Sequence, residues 1–333
     1  MQFDRLKRRE FITLLAATAA WPVGARAQQR GQMRRVAVLL GGLEFSDVSG
    51  QAEVTAFEGA LRDLGWTRGR NIDLDYHWPG IQIARVRTVA DQIVAAHPDL
   101  VLSRSTPATA ALMHANLPIV FVLVADPIGS GFVQNLGHPG GNLTGFSTFE
   151  SSIGGKWLAL LKEAAPEVSR VAMLFNPETA PFAEGYLRAA QAAAQTLGGT
   201  VISAPCGSDA DIRSVFSAQA REGGGGIIAI ADTFVADHRD LIIALAAQHR
   251  LPAIYGNPIF ARSGGLIVYS PDYADIYRRA AGYVDRILKG AKPGDLPVQE
   301  PDKFTLSVNL QAARAIGLNL PQMLVARTDE VIE

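Results

Sequence analysis

The sequence predicts an α/β fold of two lobes, each a parallel sheet wrapped by helices. Three observations carry that expectation. Residues 117–133, LPIVFVLVADPIGSGFV, open with an apolar run over 118–125 that stops at Asp126-Pro127. Such an uncharged, largely β-branched run suits a strand buried on both faces of a parallel sheet. The phrase returns at residues 251–265 as LPAIYGNPIFARSGG, again Leu-Pro, a short apolar strand, a polar residue before Pro (Asn257-Pro258) and a Gly-containing loop. Finally, apolar strands alternate along the chain with helical patterns, as right-handed βαβ crossovers require. Two halves with one element order point to a ligand cleft between them, because open α/β sheets bind ligands at the carboxyl ends of their strands.

Taken in order, RRVAVLL over Arg34–Leu40 is the first expected strand, closed by Gly41-Gly42. Asp47 is a candidate cap for a helix in which Val54, Phe57, Leu61 and Leu64 recur at helical spacing and Gly65 is the stop. Residues 71–78 alternate apolar and polar side chains, a strand with one wetter face, and a helix over 82–96 follows. Leu100–Arg104 is the third strand, after which Ser105-Thr106-Pro107 offers a hydroxyl cap and a proline for the first helical turn. The central strand and NLTGFS (142–147) complete the first half. The second half is expected as helix 156–165, strand Arg170–Phe175, helix 182–197, strand Thr200–Pro205, helix 209–221, strand 226–231, one helix ending at His249, and strands 252–255 and 266–269. A helix over 273–289 sets Ile276, Ala280, Tyr283 and Ile287 on one face. Residues 304–308 read as an edge strand, and 310–316 as a short helix stopped by Gly317. No stretch resembles a single linker. One lobe is therefore expected to hold 31–144 with 271–292, and the other 145–270 with 293–333.

Composition is that of a globular protein, with 48% apolar and 19% charged residues, and the length allows two domains of about 150 residues. Formal charge is −1; without residues 1–27 there remain 26 basic against 30 acidic side chains. That balance argues against a nucleic-acid surface, which needs a clustered basic face. Residues 1–27 read as a cleavable secretory signal: Arg5, Lys7, Arg8 and Arg9, then the apolar run 11–20, then Ala25-Arg26-Ala27. Arg8-Arg9-Glu10-Phe11 also fits the core of a twin-arginine signal. Cys206 is the only cysteine, so no internal disulfide is expected, and it reads as a small buried apolar residue.

Enzyme signatures are sparse. The chain has no G-x-S-x-G, no phosphate loop, no G-x-G-x-x-G after the first strand, and no H-E-x-x-H or C-x-x-C. No metal or cofactor is expected. Polar and aromatic residues recur instead at predicted strand ends: Glu44 and Phe45, the run from Ser103 to Thr106, Asp126, Thr148 and Phe149, Asn176, Asp232 and Thr233, Asn257, Ser270 and Tyr273. Singly, each serves equally well as a helix cap or a turn residue. Together they populate the edge that two facing lobes would share. Ser105 and Thr106 could meet a carboxylate, while Asp126 and Asp232 could accept from an ammonium or hydroxyl. As a ligand group Asp232 should be solvated in an open cleft; as a mere cap it should serve the following helix.

The segments KRREFITLLAATAAWPVGARAQ, RRVAVLL, GWTRGRNIDLDYHW, STPATAAL, LPIVFVLVADPIGSGFV, GGNLTGF, GGKWLALLKE, VAMLFNPETAP, HRLPAIY, GGLIVYSPD and YVDRILKGAKPGDLPVQEP together resemble ABC transporter substrate-binding proteins of the tryptophan/tyrosine type. The resemblance covers essentially the whole chain. It implies a type I periplasmic binding fold: two Rossmann-like lobes, three crossovers and closure around a ligand. It also implies a periplasmic receptor, expected as a monomer, that captures an amino acid or an aromatic or aliphatic carboxylate and delivers it to an inner-membrane ABC permease. The ligand loops it implies lie at Gly42, Glu44 and Phe45, at Ser105 and Thr106, and at Asp126. In the second half they lie at Thr148 and Phe149, Asn176, Asp232 and Thr233, and Tyr255 and Asn257. One departure stands out. Where relatives carry small or amide residues before Thr-Pro, as in N-G-T-P, this chain has Arg104-Ser105, and an Arg104 facing the cleft would favour an anionic ligand. Two rival readings are a secreted hydrolase-like enzyme using Asp126 or Asp232, which lacks a nucleophile–base pair, and a sensor receptor docking on a signalling partner.

Overall fold

The computed structural model describes residues 33–148 and 150–333. The expected signal segment 1–27 lies outside the described residues, as does Phe149. The first sheet contains β1 (Arg34–Leu40), β2 (Ile72–His77), β3 (Leu100–Arg104), β4 (Ile119–Val124) and β5 (Leu143–Ser147), in the order β2-β1-β3-β4-β5. Every neighbouring pair in it is parallel. All six residues of β4 are buried, which is why the central run carries no polar alternation. Helices α1 (Val48–Asp63), α2 (Ile83–Ala96) and α3 (Thr106–Leu112) connect these strands. Phe57 and Leu61 of α1 pack on one face of the sheet, and Val86, Ala90, Ile93, Ala108 and Leu112 of α2 and α3 on the other.

The second sheet holds β6 (Arg170–Phe175), β7 (Thr200–Pro205), β8 (Gly225–Ala229), β9 (Ala253–Tyr255), β10 (Ile267–Pro271), β11 (Phe304–Asn309) and β12 (Glu330–Ile332), in the order β12-β11-β10-β9-β8-β6-β7. Helices α4 (Ile153–Ala164) and α5 (Ala183–Leu197) cover one face through Trp157, Leu161, Tyr186 and Leu187. Helices α6 (Asp209–Ala220), α7 (Thr233–Asp237) and α8 (Arg239–His249) cover the other through Ile212, Phe216, Val235, Ile242 and Leu245. Trp157 is fully buried, and its indole N–H donates to the Tyr269 carbonyl at 2.9 Å. Burying an aromatic body of this kind contributes about 1.5–3 kcal/mol, and the satisfied N–H avoids the cost of an orphaned donor. The short α9 (Ile259–Ser263) follows β9, and α10 (Tyr273–Leu288) returns to the first sheet, packing Ile276, Tyr277 and Ala280 beside Phe57. Helices α11 (Leu310–Ile316) and α12 (Gln322–Val325) close the chain.

Three expectations are corrected. The helix expected up to His249 is two helices, α7 and α8, because His238 (φ −88°, ψ 15°) leaves helical geometry between them. The strand at 304–308 is not an edge: β11 pairs antiparallel with β10 and parallel with β12. The edge on that side, β12, is only three residues long, too short for alternation to reveal. The lobe boundaries also move. β5 sits wholly in the first sheet, so the chain leaves that lobe after Ser147 and not after Thr144. Residues 293–299 stay on the first lobe as well, since Thr144 Oγ1 donates to the Leu296 carbonyl (2.6 Å) and Ser147 N to the Gln299 carbonyl (2.9 Å). The chain thus crosses between the sheets after Ser147, at Asp272, and again between Gln299 and Phe304.

Candidate functional site

Parallel strands deliver their carboxyl ends to one edge of each sheet, and in this chain the two edges face one another. On the first-lobe side β3 ends at Arg104, which is 7% exposed. Its Nε donates to Glu53 Oε2 on α1 at 3.0 Å, and its Nη1 to the Gly41 carbonyl at 3.0 Å. Burial disfavours the guanidinium charge, but the Glu53 carboxylate, helped by Tyr277 and Tyr273, raises the pKa above its ordinary value. Arg104 therefore faces the cleft as half of a buried ion pair, and not as a lone cation.

The next residue is Ser105, at φ +81°, ψ 156°, a region that favours glycine and costs about 1–3 kcal/mol for other residues. Bonds on both sides of the residue hold it there: its N–H donates to the Val122 carbonyl (3.1 Å), while its own carbonyl accepts from Thr109 N (3.1 Å) and Thr109 Oγ1 (2.9 Å). The hydroxyl cap expected of Ser105 is not made. Its Oγ is buried and has no hydrogen-bond partner among the described residues, an arrangement that costs roughly 1–3 kcal/mol. Thr106 Oγ1 accepts weakly from Ala125 N at 3.4 Å. In β4 the pairing register shifts between Val122 and Val124, leaving Leu123 at φ +57° as a bulge that lines the cleft. Bulges commonly re-aim a side chain beside a site.

The second-lobe wall is organised by Asp232, only 3% exposed. Its Oδ2 accepts from Asn176 N (2.8 Å), and its Oδ1 from Thr179 Oγ1 (2.5 Å) and Phe234 N (3.1 Å). Burial pushes its pKa up to about 6, against the lowering effect of the donors from Thr179, Asn176 and Phe234. The solvated strand-end carboxylate expected from the sequence is thus a buried one. It caps α7 and at the same time ties the β6–α5 loop to the β8–α7 loop.

Between the walls lies a narrow space with a cavity volume of about 30 Å³. Arg104, Ser105, Thr106, Leu123, Thr148 and Tyr273 line one side, and Thr179, Phe182, Asp232, Thr233 and Asn257 the other. The lobes touch at its rim: a Cβ on Gly42 (φ +83°) would lie 2.5 Å from Thr233 Cγ2. A larger groove, about 800 Å³, runs past Trp66, Lys289 and Pro293 on the first lobe. It includes Arg34, Asn71, Asp99 and Pro118, at the amino ends of the strands, so the chemistry of strand carboxyl ends does not reach it.

Of the expected site residues, the structure brings Gly42, Ser105, Thr106, Thr148, Asp232, Thr233 and Asn257 to this space and its rim. The other described ones sit elsewhere. Glu44 is exposed and 3.7 Å from Arg85. Phe45 is 71% exposed, edge-on to Trp78. Asp126 is exposed and accepts from Gly129 N within its own turn. Asn176 accepts from Glu178 N (2.8 Å) behind the wall. Tyr255 is buried, stacked on Phe260 with centroids 4.3 Å apart. Leu123, Thr179 and Phe182 were not expected. Thr179 and Phe182 follow the Asn176-Pro177 turn and could have been suspected from it, whereas a bulge at Leu123 leaves no sequence trace. No group of three or more His, Cys, Asp or Glu side chains that could hold a metal ion occurs among the described residues.

Comparisons with known proteins bear on the fold and the family. A tyrosine-binding protein of Clostridioides difficile is 23% identical over 265 residues, 79% of this chain and 75% of the relative. A conserved domain protein of Vibrio cholerae superimposes with TM-score 0.82 at 29% identity, covering 90% of this chain and all of the other. A Streptococcus pneumoniae ABC domain in complex with L-Trp gives TM-score 0.81 at 24% identity, with the same coverage. The two-lobed fold is that of type I periplasmic binding proteins. Residues 45–332 match the family described as ABC transporter substrate binding protein, and the chain therefore belongs to the ABC transporter substrate-binding proteins.

Proposed function

We propose that this protein is a non-enzymatic periplasmic receptor that captures a small organic solute between its lobes and delivers it to an inner-membrane permease. The solute class is an amino acid or an aromatic or aliphatic carboxylate. The observation that carries this reading is the facing of two strand-end walls, each supplying buried polar residues to one shared space. Tyrosine and tryptophan in the names of the relatives support an organic acid with an apolar body, for which Leu123, Phe182 and Tyr273 offer apolar surface. No described helix is long and apolar enough to cross a membrane, which fits a receptor that meets its permease at the membrane surface. As lobes we take 33–147 with 273–299 and 150–271 with 304–332, swinging as bodies about the three crossings. Contacts from both lobes make the closed state the tighter binder, and only that difference in affinity shifts the population.

The same geometry speaks against hydrolysis through Asp232, whose two oxygens already accept three hydrogen bonds. A thermal-shift screen of amino acids and organic carboxylates, followed by calorimetric titration, tests the receptor reading. At least one solute should raise the melting temperature and contract the protein in small-angle scattering. A protein indifferent to every class of solute would refute it.

A further inference from the structure

The space between the lobes is unequally stocked with hydrogen-bonding groups. Ser105, Thr106, Thr148 and Thr233, each carrying a hydroxyl, line it, and Asn257, whose Oδ1 already accepts from Ile259 N at 3.1 Å, has its amide N–H groups left to offer. Anionic acceptors are scarce: Asp232, the one carboxylate among the described residues lining this space, already accepts from Asn176 N, Thr179 Oγ1 and Phe234 N, three of its about four acceptor positions. The cation beside Ser105 is Arg104, with Nε and Nη1 engaged and Nη2 making no hydrogen bond to the described residues. Hydroxyls can donate as well as accept, whereas a guanidinium only donates. An ammonium entering this space would find no free carboxylate, while an acid would find several donors and a neighbouring positive charge.

We propose that the space takes its solute by a carboxylate, with no requirement for an ammonium group, and that Ser105 is the residue that selects the acid. The inference rests on the receptor reading above and narrows it. Ser105 is singled out by two independent features. Its Oγ is a shielded polar atom without a partner, in a residue 5% exposed. Its backbone is held in a glycine conformation by the bonds to Val122 and Thr109, so the hydroxyl's position is fixed in advance of binding. A bond from such a preset donor to a charged acceptor is of the stronger kind.

The experiment titrates the full mature protein calorimetrically with matched triplets: indole-3-propionate, L-tryptophan and tryptamine; 4-methylpentanoate, L-leucine and isopentylamine. A panel of other aliphatic and aromatic carboxylates is run beside them. We expect an acid to bind at least as tightly as its amino acid, and its amine at least tenfold more weakly. Ser105→Gly removes the hydroxyl from a position whose backbone suits glycine, so its melting temperature without ligand should not fall, while affinity for the acid should drop about tenfold or more. The inference is overturned if an amine binds as well as its acid, if Ser105→Gly binds the acid unchanged, or if every carboxylate fails while another solute binds. Failure of all solute classes would instead count against the receptor reading itself.

Discussion

The two walls of the cleft handle their buried charge in opposite ways. On the first lobe Arg104 is neutralised by a partner on a different element, Glu53 of α1, and the adjoining Ser105 keeps a strained backbone and an unspent hydroxyl. On the second lobe Asp232 has no cationic partner among the described residues and is satisfied by three neutral donors from its own and a neighbouring loop. The first arrangement holds back hydrogen-bonding capacity. The second spends its capacity on fixing loops. The contrast teaches that a carboxylate at a strand end is not by itself a ligand group: what its oxygens already accept decides its role.

The sharpest way to break this contrast is at Glu53. Glu53→Ala leaves the Arg104 guanidinium buried without its partner, which should destabilise the protein by about 3–5 kcal/mol. Denaturant unfolding measures it, and a loss below about 1 kcal/mol would mean that Arg104 reaches water on its own.

Asp232 should answer to pH instead. Its folded pKa of about 6 lies above the ordinary value of 3.8, so the folded state holds the proton more tightly than the unfolded chain. The resulting stability is fully present below about pH 4 and is lost as pH rises through 6, up to about 3 kcal/mol in all, since each pKa unit is worth about 1.4 kcal/mol. Melting the unliganded protein between pH 4 and 7.5 should show this decline, and Asp232→Asn should flatten it. A decline that persists in the variant would assign the titration to another group.

A smaller effect is expected where the walls meet. Gly42→Ala places a methyl against Thr233 of the facing lobe as the lobes stand here. Ligand affinity should fall about tenfold, roughly 1.4 kcal/mol, with part of any loss in unliganded stability coming from the positive φ. Equal affinity in calorimetry would show that the two residues separate when the solute is bound. The least effect belongs to Ser105→Gly, which should raise unliganded stability by about 1 kcal/mol by relieving the backbone; a lowered melting temperature would show that the serine contributes contacts that offset its strain.

The strands were legible wherever burial on both faces forced a continuous apolar run, as in β4, or wherever a Leu-Pro opening and a polar stop bracketed the run, as in β9. Residues at strand ends were legible as a group for the same topological reason. Their individual fates were not. Gly42 reaches Thr233, yet Phe45, three residues on, turns to solvent beside Trp78; Asn257 faces the cleft, yet Tyr255, two residues earlier, packs on Phe260. A shift of a residue or two along a strand end reverses the direction of a side chain, and no local pattern fixes that shift in a loop.

By itself, then, the sequence determined the alternation of strands and helices, the duplication of the two halves and the polar residues gathered at strand ends, because apolar periodicity and chain order are local properties. Tertiary structure alone decided that β5 and residues 293–299 remain with the first lobe, that Arg104 is paired with a residue 51 positions away, that Asp232 is spent on Asn176 and Thr179, and that Leu123 bulges into the cleft. Each of these depends on which distant group arrives within hydrogen-bonding distance or on which register a neighbouring strand imposes, and such contacts exist only once the sheets have assembled.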